Sequence, residues 1–217
     1  MSLLPVFLRL EGRKCLVVGA GTVALAKIES LRGAGAEITV VAPHAHEEVR
    51  RLASAGTLAW HERVFRPSDL DGIFLVIAAT NASEVNRTVY EEARRRNVVC
   101  NAVDDPPNCD FYFGSVVKRG DLQVAISTAG ESPALAQRLR REIDAQLPQD
   151  LGRWVAELGQ LRNDLRAAIP AGEERNLLLH ELAHRPLCSS PTCPTRQFAQ
   201  ERVAKVTIDA AQSEVTA

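Results

Sequence analysis

Several absences in this sequence narrow its class before any motif is read. No apolar run in the 217 residues approaches the ~20 needed to span a bilayer, so no membrane partner is expected. The start, "MSLLPVFLRLEGRK", has neither a basic leader region nor a small-residue cleavage site and reads as mature cytoplasmic sequence. The five cysteines are odd in number and scattered, which implies no disulfide framework and suits a reducing compartment. Neither sign of charge is in excess: 26 Lys and Arg stand against 27 Asp and Glu. Phosphate backbones need a positive footprint, so nucleic acid is not an expected partner. There is no internal repeat.

What is present is the material of an ordinary globular protein. The chain is 46% hydrophobic and 24% charged, enough for a full core in one large domain or a domain with an appendage. Strand and helix signals alternate from the start. "KCLVVGAG" is a β-rich run ending in glycines, and "TVALAKIESLRGAGA" is a helix closed by Gly33 and Gly35. "EITVVAP" is a buried strand, "HAHEEVRRLASAG" a helix, and "TLAWHERVF" a weaker alternating strand. "GIFLVIAAT" is the continuous apolar run of a central parallel strand. "ASEVNRTVYEEARRRN" is helical, and "VVCNAVDD" is a strand running into a turn. This order predicts an α/β fold, a Rossmann-like doubly wound parallel sheet.

After Pro106-Pro107 the pattern changes. "FYFGSVVKRGDLQVAIST" predicts a hairpin turning at Arg119-Gly120. "SPALAQRLRREIDAQL" predicts a helix with Ser132 as N-cap and Pro133 in its first turn. Further helices are expected at roughly 150–168 and 173–184, then a tail rich in Pro, Ser and Thr from Arg185, with a last amphipathic stretch near 195–206.

"GAGTVA" places Gly19, Gly21 and Ala24 in the G-x-G-x-x-[GA] spacing between a predicted strand and a predicted helix. Gly19 would permit the tight turn and Gly21 the approach of a pyrophosphate. Ala24 would keep helix and sheet close, and the helix N-terminus would supply N–H donors. The acid that usually binds a ribose about 20 residues on is missing, for Ala42, Pro43 and His44 stand there. The residues alone therefore point to a dinucleotide and leave NAD and NADP open.

Two further segments carry chemistry. In "NAVDDPPNCDFYF", Asp104 and Asp105 follow a strand that should end at the ligand-binding edge of the sheet. A carboxylate there can act as a general base, or it can simply build an Asp-Pro turn. In "STAGESPALAQRLRR", Ser127, Thr128, Gly130 and Ser132 offer hydroxyls and N–H groups to an anion. Arg138, Arg140 and Arg141 add positive charge, or form an ordinary solvated face.

In this order the segments resemble the precorrin-2 dehydrogenase/sirohydrochlorin ferrochelatase family, the N-terminal module of sirohaem synthases and a stand-alone protein elsewhere. The resemblance rests on "LPVFLRLEGRKCLVVGAGTVALAK", "AATN" with Asn86, "NAVDDP", "STAGESPALAQRLR" and "LPQDLGRWVAELGQLR", and covers roughly residues 3–184. It implies NAD-dependent oxidation of precorrin-2, a tetrapyrrole, to sirohydrochlorin, with Fe²⁺ as a second substrate where the chain also makes sirohaem. The fold it implies is an NAD-binding domain at 1–113, an α+β homodimerisation region at 114–148 and a helical domain at 149–217. Asp104 falls on the family's essential aspartate, and Thr22, Val23, Pro43, His44 and Thr80 fall on NAD contacts. Ser127, Thr128, Gly130 and Ser132 fall on the substrate side. The family's frequent Arg-Lys pair in the first helix is Ala26-Lys27 here. A dehydrogenase served by a separate chelatase, and a non-enzymatic dinucleotide sensor, are the alternative readings.

"HELAH", residues 180–184, matches the helical zinc-protease pattern, with Cys188 and Cys193 as further ligand types. No further histidine follows the motif, and a structural zinc site would need the histidine and cysteine pairs in an unfavoured order. An ordinary helix is expected, with one histidine packed on a core face and no resident metal. Cys15 and Cys100 are expected in the strand core, and Cys109, in the Pro-Pro loop near Asp104, as a buried structural thiol, with a reactive thiol as the alternative. His61 is expected at a surface or sheet edge.

Overall fold

The computed structural model describes residues 3–184 together with 194, 195, 197, 198, 200–202, 204 and 205, the side chain of Glu174 apart. The chain divides into two compact units, 1–113 and 114–217.

The first unit is a five-stranded parallel sheet. Its strands are β1 (Lys14–Val18), β2 (Glu37–Val41), β3 (Ala59–His61), β4 (Leu75–Ala78) and β5 (Val99–Ala102). They lie in the order β3-β2-β1-β4-β5. Helices α1 (Thr22–Gly33) and α2 (Glu47–Ser54) connect the first three strands, and α3 (Ser83–Arg95) connects β4 to β5. Successive strand residues point to opposite faces, so an apolar strand covered on both sides feeds two cores. Cys15 and Val17 of β1, with Val40, Leu75 and Ile77, pack under Ala24, Ile28 and Leu31 of α1 and Val49 and Leu52 of α2. Leu16 and Val18, with Val76, Ala78, Cys100 and Ala102, pack under Val89 and Ala93 of α3. Both faces are therefore dry, which is why β4 reads as an unbroken apolar run. The predicted weak strand is only three residues long at the sheet edge, and it carries an exposed His61.

The second unit begins with the hairpin β6 (Ser115–Arg119) and β7 (Leu122–Ile126), antiparallel as expected. It turns at Gly120-Asp121, one residue later than the sequence suggested, because Gly120 takes the positive φ of +56°. Helices α4 (Pro133–Gln146), α5 (Leu151–Ala168) and α6 (Glu173–His184) follow, and the described residues from 194 to 205 are helical as well. Ser132 caps α4, its hydroxyl accepting from Leu135 N–H at 3.3 Å, with Pro133 in the first turn.

The second unit is organised by the arginine at the end of β6. Arg119, only 9% exposed, spreads its guanidinium over the C-terminal end of α4. Nη2 donates to the carbonyls of Asp144 (2.9 Å) and Leu147 (3.3 Å), and Nε to that of Pro148 (3.3 Å). Nη1 pairs with the Asp144 carboxylate at 2.8 Å. A helix C-terminus leaves its last carbonyls without partners, and a cation there satisfies them. The packing leaves no slack at this point, for a Cβ on Gly152 would lie 2.6 Å from the Arg119 carbonyl. Arg119→Met keeps the stem and loses every donor, leaving the Asp144 carboxylate and the carbonyls of Asp144 and Leu147 without their arginine partner. It is expected to cost about 3 kcal/mol, read by urea unfolding. A loss below ~0.5 kcal/mol would assign this role elsewhere.

Candidate active site

The strand register places the candidate residues on one edge of the sheet. Val18 pairs with Val41 on one side and Ala78 on the other, Ala78 with Ala102, and Val41 with His61. The five strands therefore end in a single row. The ladder runs one step further through Gly19 N–H to Val41 O (2.9 Å), Ala79 N–H to Val18 O (2.8 Å) and Val103 N–H to Ala78 O (2.9 Å). Just past the row, four loops carry Gly19 and Gly21, Pro43 and His44, Thr80, and Asp104. The strand order reverses between β1 and β4, the switch point at which open α/β sheets bind ligands.

The glycine loop divides its labour. Gly19 has φ +104°, and a Cβ there would lie 2.3 Å from the Ala79 carbonyl oxygen. Its lack of a side chain is demanded by the protein's own packing against the end of β4. Gly21 has an extended backbone, φ −81° and ψ −171°, and a Cβ would meet nothing within 4 Å. No described neighbour accounts for glycine there. The open space fits the close approach of a pyrophosphate to that backbone.

Helix α1 opens at this point with no side-chain cap and no acidic residue in its first turn. Its first internal bond runs from Leu25 N–H to Gly21 O at 2.9 Å. The N–H groups of Thr22, Val23 and Ala24 precede that bond and have no acceptor within the helix. Val23 is half exposed and Ala24 fully buried. The donor set and the open space at Gly21 fit a dinucleotide pyrophosphate. Pro43 and His44 are exposed past β2. Ala42 between them and the strand is held by Trp60, whose Nε1 donates to its carbonyl at 3.1 Å.

Thr80 is clamped from α3. Asn86, 5% exposed, accepts at Oδ1 from the Thr80 N–H (3.1 Å) and hydroxyl (2.7 Å), and its Nδ2 donates to the Thr80 carbonyl (3.1 Å). A buried amide so engaged fixes the loop after β4 against the glycine turn. The spacing in "AATN" and Asn86 was visible in the sequence; this threefold bonding was not.

The two aspartates after β5 separate cleanly. Asp105 builds the turn: its carboxylate accepts from Asn108 Nδ2 at 2.7 Å, and Pro106 follows it into a short 3₁₀ turn. Asp104 is exposed at φ +59°, a left-handed conformation that Asp tolerates better than most residues. Among the described residues its carboxylate takes part in no hydrogen bond or ion pair. Asn101 and Asp110 fold the segment back onto β5. Asn101 Nδ2 donates to Phe111 O at 2.7 Å, and the Asp110 carboxylate accepts from Cys100 N–H at 2.9 Å. The Cys109 thiol donates to Ala102 O at 3.0 Å. Burial pushes the Cys109 pKa up, that of Cys15 up to about 11 and that of Cys100 up to about 12. A raised pKa keeps these thiols protonated and poor as nucleophiles.

Ser127, Thr128, Gly130 and Ser132 lie together in the second unit, between β7 and α4. Their hydroxyl oxygens already accept from the backbone. Ser127 takes Ala129 N–H (3.1 Å), Thr128 takes Ser132 N–H (3.1 Å), and Ser132 caps α4. Among the described residues these hydroxyls donate no hydrogen bond of their own. Of the nearby arginines, Arg138 pairs along the helix with Glu142 at 3.2 Å.

"HELAH" departs from expectation in one respect. Neither histidine packs on a core face; His180 and His184 are both exposed. Leu182 packs instead, with Leu165, Ile169 and the half-buried Leu178 and Leu179. Helical spacing puts residue 182 on the opposite side from 180 and 184. No group of three or more His, Cys, Asp or Glu is placed to hold a metal among the described residues. Cys188, Cys193 and most of the tail lie outside them. No helix among the described residues is long and apolar enough to cross a membrane.

A glycine cradle at a switch point, with a carboxylate unbonded among the described residues two strands away, marks the dinucleotide-binding class of doubly wound proteins. Residues 6–115 match the family model described as "Putative NAD(P)-binding", and residues 119–146 match "Sirohaem biosynthesis protein central". The chain belongs to this NAD(P)-binding family, in the arrangement of sirohaem biosynthesis proteins, as the sequence resemblance implied.

Siroheme synthase 1 of Cronobacter sakazakii is 47% identical over 163 residues, 75% of this chain and 35% of that protein. Siroheme synthase 1 of Aeromonas hydrophila is 38% identical over 213 residues, 98% of this chain and 46% of that protein. The chain thus spans between a third and a half of these curated relatives. The solved structure of SirC, a precorrin-2 dehydrogenase, superposes with a TM-score of 0.78 at 25% identity, covering 94% of this chain and 100% of that one.

Proposed function

We propose that this chain oxidises precorrin-2 to sirohydrochlorin with NAD, and that it inserts Fe²⁺ into the product to give sirohaem. The observation that carries the reading is the uncommitted carboxylate of Asp104, on the same sheet edge as a cradle whose open space at Gly21 fits a ligand. Gly19, Gly21 and the N–H groups of residues 22–24 hold the pyrophosphate, with Pro43, His44 and Thr80 beside the rest of the dinucleotide. NAD, when bound, supplies the hydride acceptor. Oxidation removes two hydrogens from the macrocycle, one as hydride and one as a proton, and Asp104 takes the proton. In the second step pyrrole N–H protons leave as the substrate Fe²⁺ enters, and the same carboxylate receives one. Ser127, Thr128, Gly130 and Ser132 meet the anionic edge of the substrate, for which charge-assisted hydrogen bonds are strong.

The three-part organisation, with 1–113 binding NAD, 114–148 dimerising and 149–217 helical, belongs to the same proposal, as does a cytoplasmic homodimer. Val116 of β6 and Leu135 of α4 are exposed apolar residues of that region, which supports a partner surface there. A monomeric mass by light scattering would overturn the dimer. The purified chain, given precorrin-2 and NAD, is expected to produce NADH and sirohydrochlorin, and with Fe²⁺ added the spectrum of sirohaem. Product that stops at sirohydrochlorin means a dehydrogenase served by a separate chelatase. NAD binding without any oxidation means a dinucleotide sensor and overturns the reading.

A further inference from the structure

Lys27 lies on α1, in the turn after the glycine cradle, and is half buried. Its Nζ sits 3.8 Å from the centroid of the Phe113 ring. Phe113 is 39% exposed and tilts against Phe111, with ring centroids 5.4 Å apart and planes at 59°. Among the described residues the ammonium takes part in no hydrogen bond or ion pair, so its three donors are unused. Burial pushes its pKa down from the usual lysine value, and the charge of Asp104 opposes that shift. The cation therefore lies within the electrostatic reach of the candidate base.

A partly desolvated ammonium is costly unless an anion or aromatic face compensates it. Here the ring and the charge of Asp104 supply part of the compensation, and no carboxylate among the described residues bonds the ammonium directly. The other α1 cation, Arg32, is spent on Glu29 at 2.7 Å. Lys27 thus differs from the solvated charges of the same helix in being held, shielded and left unpaired beside the reacting edge.

We propose that Lys27 is an anchor for a peripheral carboxylate of the substrate, docking the macrocycle against Phe113 with its reacting carbon at Asp104. The inference rests on the proposed tetrapyrrole reaction and adds a binding residue to it. Lysine serves here as a compact point charge with rotatable donors, and a longer arginine can replace it in charge.

The test uses the full chain, with sirohydrochlorin as the probe, its binding followed by absorbance, and NAD binding measured in parallel. Lys27→Met is expected to weaken sirohydrochlorin binding and raise the KM for precorrin-2 by about 10-fold or more. Its kcat should stay within a few-fold, and its NAD affinity and melting temperature should not change. Lys27→Arg should restore most of the binding. Unchanged sirohydrochlorin affinity in Lys27→Met overturns the anchor and leaves the proposed reaction standing. Weakened NAD binding assigns the ammonium to the dinucleotide and also overturns it. If the wild-type chain binds NAD but no sirohydrochlorin, the proposed reaction itself fails, and the anchor with it.

Discussion

Asp104→Asn is expected to lower the rate of precorrin-2 oxidation by about 10²–10⁴-fold, the span of a lost general base, with NAD affinity unchanged. The substitution is chosen for its backbone. Asp104 sits at φ +59°, a region Asn occupies as readily as Asp, whereas alanine there adds a strain of ~1–2 kcal/mol. Asn keeps the shape, removes the basicity and leaves the 105–110 turn intact. That turn depends on Asp105, Asn108, Asn101 and Asp110, none of which bonds to Asp104.

Asp105→Ala is the companion control, for it removes the acceptor at a φ of −130° that alanine adopts freely. Its carboxylate serves the turn through Asn108, so its loss should cost stability before it costs chemistry. The activity is measured as NADH formed from precorrin-2, and the binding by titration with NAD. A fully active Asp104→Asn would remove Asp104 from the mechanism. The chelatase step tests the same group a second time, because it too needs an acceptor for protons at the macrocycle.

The second large effect separates two glycines that a motif treats alike. Gly19→Ala forces a Cβ to 2.3 Å from the Ala79 carbonyl oxygen, at φ +104°. Backbone, not a flexible side chain, must move, and it belongs to the loop fixed by Thr80 and Asn86. A cost of about 4 kcal/mol or more is expected, at the upper end of single substitutions, together with loss of NAD binding. Gly21→Ala should do the opposite. Its Cβ meets nothing and its backbone suits any residue, so stability should stay within ~0.5 kcal/mol of wild type.

NAD affinity in Gly21→Ala should nevertheless fall about 10-fold or more, since a methyl group would occupy the space of the phosphate approach. Thermal unfolding and NAD titration of both variants read the contrast. Equal damage to both properties in both variants would mean that Gly21 serves the fold and not a ligand.

Much of this was legible without coordinates. Alternating apolar runs and helical stretches established a parallel α/β sheet, because burial on both faces writes itself into each strand. Ser132 and Pro133 announced the start of α4, and Gly120 a tight turn, since caps and turns are made by residues within a few positions of each other. The glycine loop was readable as a unit for the same reason, and so was the ambiguity of "DDPP". Local chemistry leaves local traces.

The sheet order and register lay beyond that range, and with them the convergence of four loops from across residues 19–104 onto one edge. So did the difference between Asp104 and Asp105. Both precede a proline-rich turn, and only the folded segment shows which carboxylate is spent on it. Arg119 bonds carbonyls 25 to 29 positions away and looked in sequence like any hairpin arginine. His180 and His184 matched a metal motif, yet helix packing gives that core face to Leu182. Lys27 meets Phe113 only because α1 and the end of the β5 loop share the same edge. Sequence by itself determined the elements and the chemical types they carry, through periodicity and short-range bonding. Tertiary structure alone decided which of those groups are buried, paired or left free, because that depends on partners brought together across the chain by burial of the apolar faces.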